Sequence, residues 1–196
     1  MSYQRGARPI PSQPIYKHYN NYHKKTVDLH TYNTTWRYWL EEADPSKVLL
    51  GLDQFDYADF TNGTSQTFDH FILKYGANRK LVVLPGEFMY HHCAGRHFRF
   101  VDTVTAKSAL VISVPFSDTG SLHPDFDTLL QKCNRLGIPV CLDLAYWGIA
   151  RDIHLDLNKY PCVKEVTASL SKPFFTLENH RVGVRFTRDY ADDGIS

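Results

Sequence analysis

ALVISVPFSDTGSLHPDFDTLLQKCNRLGIPVCLDL, running from Ala109 to Leu144, decides the fold class. Ala109 to Val114 is a strand that is apolar on both faces apart from Ser113. A polar loop follows, and then a helix over Leu122 to Leu136. Phe126, Leu129, Leu130, Cys133 and Leu136 fall on one stripe of that helix, and Pro124 suits its first turn. Gly137 ends it, because glycine readily takes the left-handed conformation that closes a helix. Ile138 to Leu144 is the next strand. Two strands of near-continuous apolar character joined by an amphipathic helix indicate neighbours in a parallel sheet, covered on both faces.

The same alternation extends in both directions. Upstream, Tyr57 to Phe60 leads through Thr61-Asn62-Gly63-Thr64-Ser65 into a helix with Phe68, Phe71, Ile72 and Tyr75 at buried-face spacing. Lys80 to Leu84 and His97 to Val101 read as strands, the first broken by Pro85-Gly86. Downstream, Val163 to Leu170 and Val182 to Phe186 are two more. The fold class is α/β, with a mostly parallel central sheet flanked by helices. Residues 1 to about 30 read as an irregular arm carrying Pro9, Pro11 and Pro14, followed by a short helix from Thr35 to about Glu42. Trp36, Tyr38 and Trp39 read as packing residues. The division suggested is residues 1–45 as arm and short helix, and 46–196 as the large domain.

Composition narrows the function. The 196 residues are 43% hydrophobic and 22% charged, with a net charge of +1, so no basic excess points to nucleic acid. The apolar runs are too short for a membrane span, and the start Met-Ser-Tyr-Gln-Arg-Gly lacks an apolar signal core, which places the chain in the cytoplasm. Cys93, Cys133, Cys141 and Cys162 have no paired spacing and read as reduced structural thiols. His91, His92, Cys93 and His97 match no zinc spacing, so no metal is expected.

In a parallel sheet, ligands sit beyond the carboxyl ends of the strands. Polar residues cluster there: Asn62-Gly63-Thr64, then Pro85-Gly-Glu-Phe88-Met-Tyr90-His91, then Asp143-Leu-Ala-Tyr146 and Ser169-Leu-Ser171-Lys172, while Arg181-Val-Gly183 comes before the strand at Val182. This combination resembles the fold type I pyridoxal-phosphate enzymes, the aminotransferase class I and II group in particular, over roughly residues 55 to 188. The resemblance implies a pyridoxal 5'-phosphate cofactor held as a Schiff base on Lys172, with amino acids and 2-oxo acids as partners. That amine should be desolvated and near positive charge. Asp143 would keep the ring nitrogen protonated, and Tyr146 would hydrogen-bond the phenolic oxygen. Arg181, Ser169 and the amides of Gly63 and Thr64 would hold the phosphate, with Ser171 beside Lys172 in the motif. Phe88 would stack on the ring, with Tyr90 as its rival and His91 three residues on. Where the family carries Asn-Pro-x-Gly, this chain has Pro115-Phe-Ser117-Asp118-Thr119-Gly120, and the resemblance implies that Ser117 would replace the asparagine that touches the phenolic oxygen.

The resemblance also implies a homodimer with shared active sites, the aromatic-rich arm reaching across the two-fold axis. It further implies a small C-terminal domain, with an arginine for the substrate carboxylate, that this sequence does not include. Aminotransfer is the first expectation. Decarboxylation or carbon–carbon cleavage uses the same lysine, aspartate and arginine, and a shortened non-catalytic relative is the third possibility.

Overall fold

The computed structural model describes residues 12–20, 28–88, 90–91, 97–174 and 181–195. Among them are nine strands and four helices: α1 (Gln13–Asn20), α2 (Leu29–Glu41), β1 (Val48–Leu50), β2 (Tyr57–Thr61), α3 (Thr64–Tyr75), β3 (Lys80–Val83), β4 (Phe98–Phe100), β5 (Ser108–Ser113), α4 (Phe126–Leu136), β6 (Val140–Asp143), β7 (His154–Asp156), β8 (Val163–Ser169) and β9 (Gly183–Thr187). Seven strands form one sheet in the order β2-β9-β8-β6-β5-β3-β4. Pairing is parallel from β4 through β8, and β9 alone runs against its neighbours β8 and β2. A parallel pair of β1 and β7 forms a separate small sheet.

Both faces of the large sheet are covered, which explains its continuous apolar strands. Along β5 the side chains alternate with period two. Leu110 and Ile112 join the larger core with Trp36 and Leu40 of α2 and Leu129, Leu130 and Cys133 of α4. Ala109 and Val111 face the other way, with Phe68 and Phe71 of α3, Leu81 and Val83 of β3, and Cys141 of β6. Towards β8 and β9 the α3 side turns polar. Thr67 and Thr167 hydroxyls meet at 2.9 Å, and fully buried Arg185 is paired with Asp59 and Asp193. The second carboxylate tethers the C-terminal turns to the sheet.

The helices depart from the sequence reading in three places. Residues 13–20, within the expected irregular arm, form α1. Helix α2 begins at Leu29 rather than Thr35, because Asp28 caps it by accepting from the Thr31 amide at 2.8 Å. Helix α4 begins at Phe126 rather than Leu122, so Pro124 lies in the turn before it; Phe126, Leu129, Leu130 and Cys133 of its stripe are buried and Gly137 is left-handed as expected, but Leu136 is exposed because it lies in the last turn. Trp36 is buried in the core, and its neighbour Tyr38 is exposed. No helix among the described residues is long and apolar enough to cross a membrane.

Leu130 carries the α4 contact and is fully buried, whereas Leu73 on the outer face of α3 is 76% exposed. Leu130→Ala should therefore cost about 3 kcal/mol in urea unfolding, and Leu73→Ala less than about 0.5 kcal/mol. Equal costs would contradict this packing.

Candidate functional site

Strand register gathers the polar residues on one edge. Ser113 at the end of β5 pairs with Asp143 at the end of β6, and Asp143 pairs with Thr167 near the end of β8. The turns beyond these three strands carry Ser117, Tyr146 and Lys172. Lys172 Nζ lies 5.4 Å from the Tyr146 ring centroid and 5.9 Å from that of Phe88, so the amine is held between two aromatic groups. Phe88 comes from the loop after β3. Its rival Tyr90 is turned towards α3, where its hydroxyl donates to Asp69 at 2.7 Å. His91 is buried among Phe68, Tyr90 and Phe98, with its ring 5.1 Å from Phe68 and 4.8 Å from Phe98. It therefore belongs to the core beneath this loop.

Asp143 is only 5% exposed. Burial pushes its carboxyl up to about 7; nearby negative charge on Glu87 adds to this, while an Ala145 amide hydrogen bond and Lys172 oppose it. Among the described residues, its side chain accepts from Ala145 N at 2.9 Å through Oδ1. Burial and the Asp143 charge also push the Tyr146 phenol up, so this hydroxyl remains a donor at neutral pH.

The second half of the site forms where α3 starts. Gly63 precedes the helix with φ +75°, a conformation that disfavours any side chain. A Cβ there would come within 2.8 Å of the Arg181 guanidinium, so the arginine lies against the helix start. Arg181 also donates to Ser65 Oγ at 3.2 Å. Gly183, two residues on, explains how this approach is possible. A Cβ at Gly183 would lie 2.8 Å from Ala168 O, Gly63 Cα and Thr61 Oγ1 alike. Bare backbone at Gly183 thus lets the loop before α3 settle onto β8 and β9. The first amides of α3, its positive dipole end and a guanidinium come together here, a combination suited to a phosphate dianion. Thr61 Oγ1 is buried here without a hydrogen-bond partner among the described residues.

Ser169 and Ser171 lie between the two halves. Their hydroxyls meet at 3.0 Å, Ser169 Oγ also donates to Val182 O at 3.3 Å, and the Ser171 amide donates to Ser169 Oγ at 3.2 Å. The Ser-x-Ser motif thus braces the turn that carries Lys172. Thr64 is buried in the first turn of α3. Ser117 is exposed and donates to Glu87 Oε2 at 3.2 Å. Ser65 and Glu87 are the two site residues that sequence reading missed. Glu87 stood in the quoted loop, directly before Phe88 and beyond a strand end, which was a usable signal. Among the described residues, no group of three or more histidines, cysteines or acids could hold a metal ion, but His92 and Cys93 lie outside them. Cys133, Cys141 and Cys162 are free and buried, and Cys93 also lies outside the described residues.

No protein-family model matches the chain, and no curated protein matches it in sequence. Solved structures do match its fold. The structure of MppP soaked with the product 2-ketoarginine superposes with a TM-score of 0.66 at 15% identity, covering 97% of this chain and 60% of that one. An aromatic-amino-acid aminotransferase from Burkholderia pseudomallei, covalently bound to pyridoxal phosphate, gives 0.59 at 13% identity, with 95% and 59% covered. The aspartate aminotransferase of Thermus thermophilus with maleate gives 0.56 at 16% identity, with 66% and 41% covered. The chain thus spans between 41% and 60% of the length of these three proteins. Its α/β architecture, a mostly parallel sheet flanked by helices, is the fold of the fold type I pyridoxal-phosphate aminotransferases.

Proposed function

We propose that this chain binds pyridoxal 5'-phosphate through Lys172 and serves amino-group transfer between an amino acid and a 2-oxo acid. The observation that carries this reading is the convergence of an amine, a buried acid and an anion cradle along one sheet edge. Lys172 Nζ lies between Phe88 and Tyr146, Asp143 is buried beside it, and Arg181 rests against the start of α3. Bound there, the cofactor supplies an aldehyde that takes up an amine and a protonated ring that withdraws electrons from the reacting carbon.

Each residue has a separate task. Lys172 Nζ is the nucleophile for the aldehyde carbon. Asp143 holds the proton at the ring nitrogen, and its buried setting makes that contact strong once the carboxylate faces a cation. Tyr146, kept protonated, donates from its hydroxyl to the phenolic oxygen. Phe88 covers the ring face and excludes water. Gly63, Thr64 and Arg181 bind the phosphate, with Ser169 and Ser171 fixing the turn behind it. Dimerisation through the N-terminal region, which rests on the likeness to the aminotransferases, and a cytoplasmic location are parts of the same proposal.

Three outcomes follow. Protein mixed with pyridoxal phosphate should develop absorbance above about 400 nm or near about 330 nm, and borohydride should fix the label on Lys172 in a peptide map. Labelling elsewhere in folded protein would refute the assignment. Arg181→Gln should weaken capture of pyridoxal phosphate by about 10- to 100-fold, while unphosphorylated pyridoxal binds both proteins alike. A uniform loss for the two ligands would place the phosphate elsewhere. Asp143→Asn should retain measurable capture but lose several kcal/mol, roughly, of transition-state stabilisation in any half-reaction with amino acids. Unchanged turnover would show that another acid serves the ring.

A further inference from the structure

Glu87 is a buried carboxylate beside Asp143 that has no part in the proposed cofactor contacts. Glu87 follows β3 and is 5% exposed. Gly86 before it has φ +92°, and a Cβ there would lie 3.0 Å from Asp118 Cβ and 3.1 Å from the Phe116 ring. Glycine therefore allows the loop after β3 to press on the loop after β5, which delivers Glu87 to Ser113 and Ser117. Its Oε1 accepts from Ser113 N at 2.8 Å. Its Oε2 accepts from Ser113 Oγ at 2.6 Å, Ser117 Oγ at 3.2 Å and Phe88 N at 3.2 Å. An acceptor so supplied with donors suits an ionised carboxylate.

Ser113 is also the register partner of Asp143. Glu87, bonded to Ser113, therefore lies at the end of β5 beside Asp143 at the end of β6, and its negative charge acts on the Asp143 carboxyl. Other groups facing Asp143 are Lys172 from the turn after β8, Tyr146 from its own turn, Cys141 from its own strand and the Ala145 amide. Lys172 is the one cation in this set. Two buried carboxylates against one cation cannot both ionise without cost.

We propose that Glu87 is a positioning residue of the site, paired electrostatically with Asp143 so that the two carboxyls hold one shared proton until a cationic ring enters beside Asp143. The ligand in this statement rests on the pyridoxal-phosphate reading, whereas the pairing rests on the geometry of Glu87. Burial pushes the Glu87 carboxyl up as well, but the donors from Ser113, Phe88 N and Ser117 favour its ionised form, whereas Asp143 has the single Ala145 amide, so the shared proton rests mainly on Asp143. When a protonated ring nitrogen arrives, Asp143 releases that proton to solvent and meets the ring as a carboxylate. The burial that pushes the Asp143 carboxyl up to about 7 acts in the same sense.

The sign of the pH dependence follows. A ligand that prefers ionised Asp143 binds more tightly as pH rises through the titration of the empty site. Below that titration its affinity falls by up to about tenfold per pH unit. Removing the Glu87 charge moves the titration down, so tight binding extends to lower pH.

The test is a carbon-13 carboxyl NMR titration of the cofactor-free protein, combined with dissociation constants for pyridoxal phosphate across the same pH range. In the wild type, the Asp143 signal should show two inflections, one at its own titration and one at that of Glu87. Glu87→Gln should leave one inflection, lower the Asp143 midpoint by about one unit, and shift the affinity profile by the same amount. Glu87→Asp, which keeps the charge, should retain the raised midpoint. A single inflection in the wild type overturns the pairing, whether or not the glutamine variant folds. So does an unchanged midpoint in a folded glutamine variant. Failure of the cofactor reading looks different: the two-inflection titration stands, but pyridoxal phosphate produces no absorbance change and no label on Lys172.

Discussion

The backbone register between β5, β6 and β8 is the constraint on which the site depends. Parallel pairing puts Ser113 beside Asp143 and Asp143 beside Thr167, so the chain leaves these strands at one level. A slip of one residue would turn Asp143 into the opposite layer, because successive strand residues face opposite sides. The register is held by apolar side chains on both faces: Leu110, Ile112, Val140 and Leu142 towards α2 and α4, and Ala109, Val111 and Cys141 towards α3. Core packing and site geometry are thus one property of the sheet.

A second dependence runs through backbone proximity rather than side-chain burial. A Cβ at Gly183 would strike Gly63 Cα, and one at Gly63 would meet the Arg181 guanidinium in a backbone conformation that already disfavours a side chain. The antiparallel strand β9 makes this proximity possible. It enters the sheet between β8 and β2 at Gly183, beside the very residues that lead into α3. The Tyr32 hydroxyl donates to Gly183 O at 2.5 Å, which ties α2 to the same point. The positive start of a helix and a guanidinium would repel each other if no anion came between them, which is why this arrangement speaks for an anionic ligand.

Much of this was legible in the sequence. Strands buried on both faces have a composition that single residues cannot blur, so β5, β6 and β8 were readable within two residues or so of their ends. Most of the motif residues could be singled out because they lie just after a strand, and Arg181 because it lies just before the antiparallel β9. Helix starts were harder. The Asp28 cap precedes a polar stretch, Leu29-His-Thr-Tyr-Asn, whose helical state depends on Trp36 and Leu40 docking into the core. Strands β1 and β7 have three residues each and pair across a long sequence separation, so no local pattern announces them. The place of Glu87 after a strand was a usable signal, but its hydrogen bonds to Ser113 and Ser117 come from a loop-to-loop contact at Gly86, Phe116 and Asp118 that spacing does not encode. The orientations of Tyr90 and His91, away from the amine, belong to the same class of long-range packing facts.

The central claim is that one ligand bridges the Lys172 amine, the Asp143 carboxyl and the start of α3. A crystal structure of the protein soaked with pyridoxal phosphate tests it most directly. The account predicts density continuous with Lys172 Nζ, the ring nitrogen within hydrogen-bonding distance of Asp143, the ring against Phe88, and the phosphate on the Gly63–Thr64 amides and Arg181. Well-ordered crystals in which the ligand binds elsewhere, or in which Lys172 stays unmodified at saturating cofactor, would contradict it.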